Sequence, residues 1–248
     1  MQQRGQKFFA ARLSSIIGLM ALLFSMATQA QYPAWQTGDV ILIRTNGRAA
    51  TAISQTVPQA PYSHVGLLWQ ESGKMMVLEV WKKVQKVSLE EFTSRRAPGS
   101  KMAVFRPKEL DFLAKQDPAR FAELSKQLYQ VFTTLKNRPY DDLYGLGKAF
   151  YCSNFVQYLL NQILQDKIVS HPMQFKAKFW REYFKEKGLT EIPRHVPGIA
   201  PGDFAQSNLF KKIFISVPAK KPVPALITPA SPLTICPSLL WAKAVKIH

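Results

Sequence analysis

Two residues in this sequence could together perform thiol chemistry. Cys152 directly precedes an apolar stripe with helical spacing, which predicts that its thiol lies at the start of a helix. His64 lies far upstream, in an apolar run at 64–69 that predicts a strand. A thiol is a strong nucleophile only as the thiolate, and a helix N-terminus and a nearby imidazole both favour that form. The pair therefore indicates a candidate nucleophile and its base.

A carboxylate on the following strand could orient the histidine. Residues 64–69 and 75–81 flank a turn at 71–74 and predict a β-hairpin. In this hairpin the numbers of two opposing residues add up to about 145, so His64 lies opposite Trp81. Glu79 is one diagonal step away, on the same face as His64. Glu79 could then reach the distal ring nitrogen of His64 and fix its tautomer. Burying a carboxylate among apolar neighbours costs desolvation free energy unless such a partner compensates for it.

Each of these residues also has a simpler interpretation. A lone cysteine at a helix start is more often a small buried hydrophobe than a nucleophile. A lone histidine on a strand is more often part of the hydrogen-bonded framework. The other cysteine of the chain, Cys236, could form a disulfide with Cys152 in an oxidising compartment. Disulfide scaffolds usually contain several bridges, so we expect Cys152 to be free.

The histidines do not indicate a metal site. The four of them show no spacing typical of metal ligands: His64, His171, His195 and His248. A single cysteine and histidine do not complete a zinc site either. We therefore expect neither a metal nor a cofactor.

The first 30 residues predict export. They carry three cations and no acidic residues, followed by an apolar run at 13–26. Small residues near Ala30 then form a candidate cleavage site. The apolar run is shorter than the ~20 residues that a membrane-spanning helix needs, which favours a cleaved signal peptide over an uncleaved anchor. We expect a periplasmic or secreted protein after cleavage near Ala30.

The charge of the chain favours anionic partners. The formal net charge of +17 falls to +14 when the three signal-peptide cations are removed. The sequence has no nucleic-acid motif, and export makes an envelope surface the expected partner. We therefore expect an anionic cell-envelope polymer, with a lipid surface as the other possibility and no nucleic acid.

The remaining pattern predicts one α+β domain at residues 31–217, followed by a Pro-rich tail at 218–248 that is expected to be disordered. Strands are predicted at 40–44, 64–69, 75–81, 84–87, 102–105 and 210–217. Helices are predicted at 48–57, 118–135 and 174–187, from Cys152 onwards, and after Ser88, whose spacing from Glu91 is that of a capping box. Residues 193–202 are predicted to form a loop.

Four segments, in their order along the chain, resemble the permuted papain-like amidases, the YaeF/YiiX-like branch of the NlpC-type cysteine peptidase superfamily. They are residues 38–42, 62–66, 77–80 and 151–156, with further similarity at 138–141 and 200–204. In ordinary papain-like enzymes the cysteine helix precedes the histidine strand, whereas in the permuted branch, as here, the histidine comes first. The resemblance extends over roughly residues 37–217. It implies a circularly permuted papain-like (NlpC-type) fold, in which an antiparallel sheet packs against helices that include the Cys152 helix.

The resemblance also implies roles for individual residues. Cys152 corresponds to the nucleophile, His64 to the general base and Glu79 to the orienting residue. Tyr62 and Tyr151 flank the two motifs and are candidate substrate-binding residues, with core packing as the alternative. Relatives often carry an acidic residue where this chain has Asn154, which could alter the packing of the helix start.

The implied activity is acyl transfer through a thioacyl-enzyme, with backbone N–H groups at the Cys152 helix start as oxyanion donors. The expected substrates are amide bonds in peptidoglycan peptides. A lipid-directed amidase or acyltransferase is the alternative enzyme, because the superfamily includes lecithin:retinol acyltransferase-like members. A binding module that docks on envelope polymers without catalysis is the third possibility.

Overall fold

The computed structural model describes residues 34–145, 149–176, 178–194 and 196–216. The predicted signal peptide (1–30), the Pro-rich tail (218–248) with Cys236, and His195 lie outside these described residues. The predictions made for them remain predictions.

The strand β1 (Val40–Ile43) forms the centre of the structure, because its four consecutive apolar residues are all fully buried. Antiparallel pairing builds a six-stranded sheet around it. The other strands of this sheet are β2 (His64–Glu71), β3 (Lys74–Val80), β4 (Val84–Ser88), β5 (Met102–Pro107) and β8 (Phe210–Ile215). Their order across the sheet is β4-β3-β2-β1-β5-β8. A separate two-stranded ribbon consists of β6 (His171–Pro172) and β7 (Pro197–Gly198).

Helices connect and cover the strands. In chain order they are α1 (Arg48–Ser54), α2 (Leu89–Ser94), α3 (Lys108–Gln116), α4 (Pro118–Leu135), α5 (Cys152–Leu164), α6 (Lys178–Glu186) and α7 (Pro201–Gln206). No helix in the described ranges has the length and apolar character needed to cross a membrane.

The two faces of the sheet are covered differently. Side chains alternate along β2, so Val65 and Leu67 join the main core under α3, α4 and α5. Leu68 points to the opposite face, where a smaller core contains Trp35 and Phe92 of α2. α5 packs directly on β2 and β3, and its apolar stripe lies fully within the main core. This packing fixes where the first residue of α5 can lie.

A buried ion pair holds β1 against β5. Asp39 is fully buried, and its two carboxylate oxygens accept hydrogen bonds from Arg106 Nε at 2.7 Å and Nη2 at 2.8 Å. Bidentate pairing of this kind compensates the desolvation of a buried carboxylate. The pairing with Arg106 explains why an acidic residue can directly precede the most buried strand.

Several sequence predictions are confirmed. The β2–β3 hairpin has the predicted register, with Leu67 opposite Leu78 and Glu71 opposite Lys74. The capping-box prediction holds as well, since Ser88 Oγ accepts a hydrogen bond from Glu91 N at 3.0 Å. α4 has the predicted bounds.

Other elements differ from the predictions. α3 is absent from the predicted helices. Its N-cap residue is a proline and its sequence is amphipathic, so the helix carries signals that are typical of its type. α7 begins inside the predicted 193–202 loop, because Pro201 fits the first helical turn and Asp203 Oδ2 accepts a hydrogen bond from Ala200 N at 2.6 Å. The α6 helix starts at Lys178 instead of residue 174, and α1 ends at Ser54 instead of residue 57.

Gly66 is required for packing beside His64. A Cβ at this position would lie 2.3 Å from Val77 Cγ1 and 3.0 Å from Phe92 Cε2. Gly66→Ala is expected to lower the free energy of unfolding by about 1–3 kcal/mol, the usual cost of overpacking a core. Urea unfolding followed by circular dichroism measures this change. An unaltered unfolding midpoint would show that the sheet accommodates the extra methyl group.

Candidate active site

Cys152 is the first residue of α5, and the residue as a whole is 3% exposed. The residue before it, Tyr151, donates its backbone N–H to Asn154 Oδ1 at 2.8 Å, which fixes the first turn. Asn154 therefore supplies the capping acceptor of this helix. The first N–H groups of a helix have no partner within the helix, so Cys152 lies at its positive end.

The imidazole of His64 is held by Glu79. His64 Nε2 lies 2.7 Å from Glu79 Oε2, and both side chains are buried. An ionised carboxylate can only accept, so Nε2 carries the proton in this pair. Nδ1 is then the nitrogen left for Cys152, whose interaction with the imidazole raises the pKa of His64.

Two aromatic rings restrict the orientation of His64. Phe92 stacks on the imidazole with ring centroids 5.2 Å apart, and Trp81 meets it edge-on at 5.0 Å. Such contacts limit rotation of the ring and exclude water from it. The hairpin register explains the second contact, because it puts Trp81 across from the start of β2.

Glu79 is a fully buried carboxylate with three donors. In addition to His64, Gln85 Nε2 donates to Glu79 Oε1 at 2.8 Å and Arg95 Nη1 donates to the same oxygen. Burial alone would raise the pKa of Glu79, but the interactions with His64, and then with Arg95 and Gln85, outweigh it and lower the pKa. Glu79 is therefore ionised at neutral pH.

Arg95 connects this network to the cavity wall. Its guanidinium group lies 4.8 Å from the centroid of the Trp81 ring, a cation–π geometry. Its other nitrogen pairs with Glu91, which lies one turn earlier on α2. Arg95 was not identified from the sequence, where it is one of many scattered cations.

Opposing effects set the pKa of His64. Burial disfavours the imidazolium and is the largest single effect, but hydrogen bonds and negative charge from Cys152 and then Glu79 outweigh it. Together they raise the pKa of His64 to about 9. The imidazolium is therefore favoured across the neutral range, where it can pair with a thiolate.

A cavity of about 480 Å³ opens in front of Cys152 and His64. Its aromatic wall consists of Trp81, Tyr140, Tyr144 and Tyr183, and its apolar wall of Ala49, Ala50, Ile53 and Pro139. Burial raises the pKa of the three phenols, so they are hydroxyl donors and not anions at neutral pH. Lys82 and Asp142 are the charged residues of the lining apart from His64.

Neither tyrosine proposed from the motifs lines this cavity. Tyr62 is half-buried against the main core, and Tyr151 is buried, with its hydroxyl oxygen accepting a hydrogen bond from Ile199 N at 3.0 Å. Packing accounts for both rings, and Tyr151 also lines a small recess that contains Cys152, so their contact with substrate stays a prediction. Tyr140 and Tyr144 lie on the cavity instead, in the segment that leads to α5.

The described residues contain no group of three or more His, Cys, Asp or Glu side chains that could hold a metal ion. His171 pairs with Asp203 at 2.8 Å, away from the cavity at Cys152, and no further ligand joins them.

Comparison with known proteins identifies the family and the fold. A family model described as permuted papain-like amidase enzyme, YaeF/YiiX, C92 family, matches residues 34–214. The fold is similar to the crystal structure of the metalloprotein yiiX from Escherichia coli O157:H7, with a TM-score of 0.62 and 21% sequence identity. That match covers 74% of this chain and 98% of the yiiX chain. No curated protein matches the chain.

The family match covers most of the chain and contains the histidine strand, the glutamate strand and the cysteine helix in permuted order. The sheet and helices are those expected for the permuted papain-like fold. This chain belongs to the permuted papain-like amidase family, the YaeF/YiiX (C92) family of cysteine peptidase-like enzymes.

Proposed function

We propose that this protein is an exported cysteine hydrolase that cleaves amide bonds in peptidoglycan peptides through a thioacyl-enzyme. The observation that carries the proposal is the cavity in which Cys152, at the positive end of α5, shares a wall with His64, itself bonded to Glu79. A nucleophile, a base and an orienting carboxylate arranged in this way are suited to acyl transfer.

Acylation begins from the ion pair in which the Cys152 proton already lies on His64 Nδ1. The thiolate attacks the amide carbonyl carbon, and the first N–H groups of α5 stabilise the oxyanion. The His64 imidazolium then gives its proton to the leaving amine as the C–N bond breaks. Glu79 keeps the proton of Nε2 in place and stabilises the imidazolium through the whole step.

Deacylation reuses the same groups. Neutral His64 takes a proton from a water molecule, whose oxygen attacks the thioester carbonyl. The C–S bond breaks, the thiolate leaves, and the product acid is released. The aromatic side chains around the cavity limit the access of other nucleophiles.

The charge of the cavity supports a substrate with a free carboxylate. Lys82 is exposed on the cavity lining and has no ion pair among the described residues, whereas Asp142 is paired with Lys187 at 2.6 Å. Peptidoglycan peptides carry several carboxylates, which an uncompensated lysine attracts. The net charge of the mature chain acts in the same direction.

One observation favours the lipid-directed alternative. Three adjacent apolar residues of α1 line the cavity (Ala49, Ala50 and Ile53) and could accept part of an acyl chain. An N-acyl amide would then be the substrate, and the same Cys152 chemistry would apply.

A substrate comparison separates the two candidates. Purified enzyme is incubated with muropeptides and, separately, with N-acyl amide lipids, and the products are identified by mass spectrometry. New peptide termini from muropeptides are the expected result. Cleavage of the lipids with intact muropeptides would overturn the peptidoglycan assignment in favour of the second candidate. Absence of any cleavage would leave neither hydrolase proposal standing.

The raised pKa of His64 predicts the alkaline limit of the reaction. We expect kcat/KM to fall as pH rises through about 9, because the imidazolium that protonates the leaving amine is lost there. Initial rates measured from pH 6 to pH 11 check this. His171→Gln is the matched control, since it removes the other described histidine without changing the cavity. A rate that continues to climb above this range would show that the chemistry does not need protonated His64.

A further inference from the structure

A second cavity, of about 420 Å³, lies beside α6 and shares no lining residue with the cavity at Cys152. Its lining contains four cations: Lys176, Lys178, Arg181 and Arg194. No Asp or Glu residue lines it. We call it the basic cavity.

The four cations of the basic cavity have no ion pair or side-chain hydrogen bond with another described residue. Elsewhere on the same part of the surface, cations do pair with carboxylates. Arg48 contacts Glu182 of α6 at 2.6 Å, and Lys187 contacts Asp142 at 2.6 Å. The basic cavity is therefore unlike the paired surface around it.

Like charges around a concave surface repel one another, and the concavity focuses their field. The floor of the basic cavity is apolar, with Met173, Phe175 and Ile192, so it screens the charges less than water does. The positive end of α6, which starts at Lys178, adds to the same potential. A bound anion would relieve this repulsion.

We propose that the basic cavity binds a phosphate group. Two guanidinium groups can each donate two parallel hydrogen bonds to phosphate oxygens, while the two lysines add point charges. A single carboxylate would neutralise only one of the four cations, whereas a phosphate offers more charge and more acceptor oxygens in the same volume. The site takes no part in the chemistry at Cys152 and is independent of the proposed hydrolysis.

The phosphate could belong to a lipid headgroup or be free in solution. α6 also supplies Tyr183 to the catalytic cavity and Trp180 to the apolar recess behind Cys152. A ligand in the basic cavity would therefore attach to the same helix that lines the catalytic cavity. Binding to a headgroup would hold the enzyme at the envelope surface.

The test uses two probes and two variants of the whole protein. Inorganic phosphate is titrated by calorimetry in a phosphate-free buffer, and sedimentation measures binding to phosphatidylglycerol vesicles against phosphatidylcholine vesicles. Arg181→Gln/Arg194→Gln removes two charges from the basic cavity. Arg120→Gln/Lys185→Gln removes two charges from exposed helical positions outside it and is the matched control.

We expect the wild type and the control to bind alike, and the Arg181→Gln/Arg194→Gln variant to bind at least about tenfold more weakly. Arginine-dependent binding of phosphatidylglycerol vesicles identifies a headgroup as the source. Arginine-dependent binding of inorganic phosphate alone identifies free phosphate. Equal weakening in both double variants, or no binding of either probe by the wild type, overturns the proposal.

Discussion

Replacing Cys152 with alanine is expected to abolish amide cleavage, with a loss on the order of a million-fold in kcat, as for other catalytic nucleophiles. The reason is chemical, because an alanine at the start of α5 can form no thioacyl intermediate. His64 and the first N–H groups of α5 remain in place but have no nucleophile to activate. The release of new termini from muropeptides, measured by mass spectrometry, gives the rate.

The fold is expected to survive this substitution. Cys152 is a small buried side chain at the edge of the main core, so loss of its sulfur costs about 1 kcal/mol in unfolding free energy. Cys236→Ala is the matched control, and it should retain full activity. A Cys152→Ala variant that is folded and still active would refute the assignment of the nucleophile.

Replacing Glu79 with glutamine is expected to lower kcat by about 10,000-fold, the cost of the wrong histidine tautomer in a comparable triad. The glutamine amide has a single acceptor oxygen, whereas the Glu79 carboxylate accepts hydrogen bonds at both of its oxygens. Arg95, a cation bonded to Oε1, will select the amide oxygen. The amide NH₂ group then faces His64 Nε2, which must become the acceptor, so the proton moves to Nδ1. His64 in that form cannot take the proton of Cys152.

The control for this variant is Glu91→Gln. Glu91 is the other carboxylate bonded to Arg95, but it does not contact His64. It should therefore leave kcat nearly unchanged, although it removes the same charge. Equal activity of the two variants, with both folded, would show that Glu79 is a structural acid and not the orienting group.

The relation between His64 and Glu79 could be predicted from the sequence because two simple rules determine it. Strand alternation puts both on one face, and the tight turn at Ser72 and Gly73 sets the register. The position of Cys152 followed from the apolar stripe of α5 in the same way. Local patterns with a fixed period were sufficient for these residues.

The cavity wall could not be predicted in this way. Tyr140 and Tyr144 belong to a segment without periodicity, and the backbone there includes positive φ angles at Asn137 and Tyr144. Such conformations depend on tertiary contacts more than on residue type. Tyr62 and Tyr151 adjoin the motifs in sequence, but neither lines the cavity that opens at Cys152 and His64.

The location of the acyl group during turnover tests the proposed thioacyl mechanism most directly. Wild-type enzyme is mixed with muropeptides and quenched in acid, and mass spectrometry of its proteolytic peptides locates any substrate-derived adduct. We expect an acyl fragment on the peptide that contains Cys152, and none on the Cys152→Ala variant. An adduct on another residue, or wild-type rates of cleavage by Cys152→Ala, would contradict it.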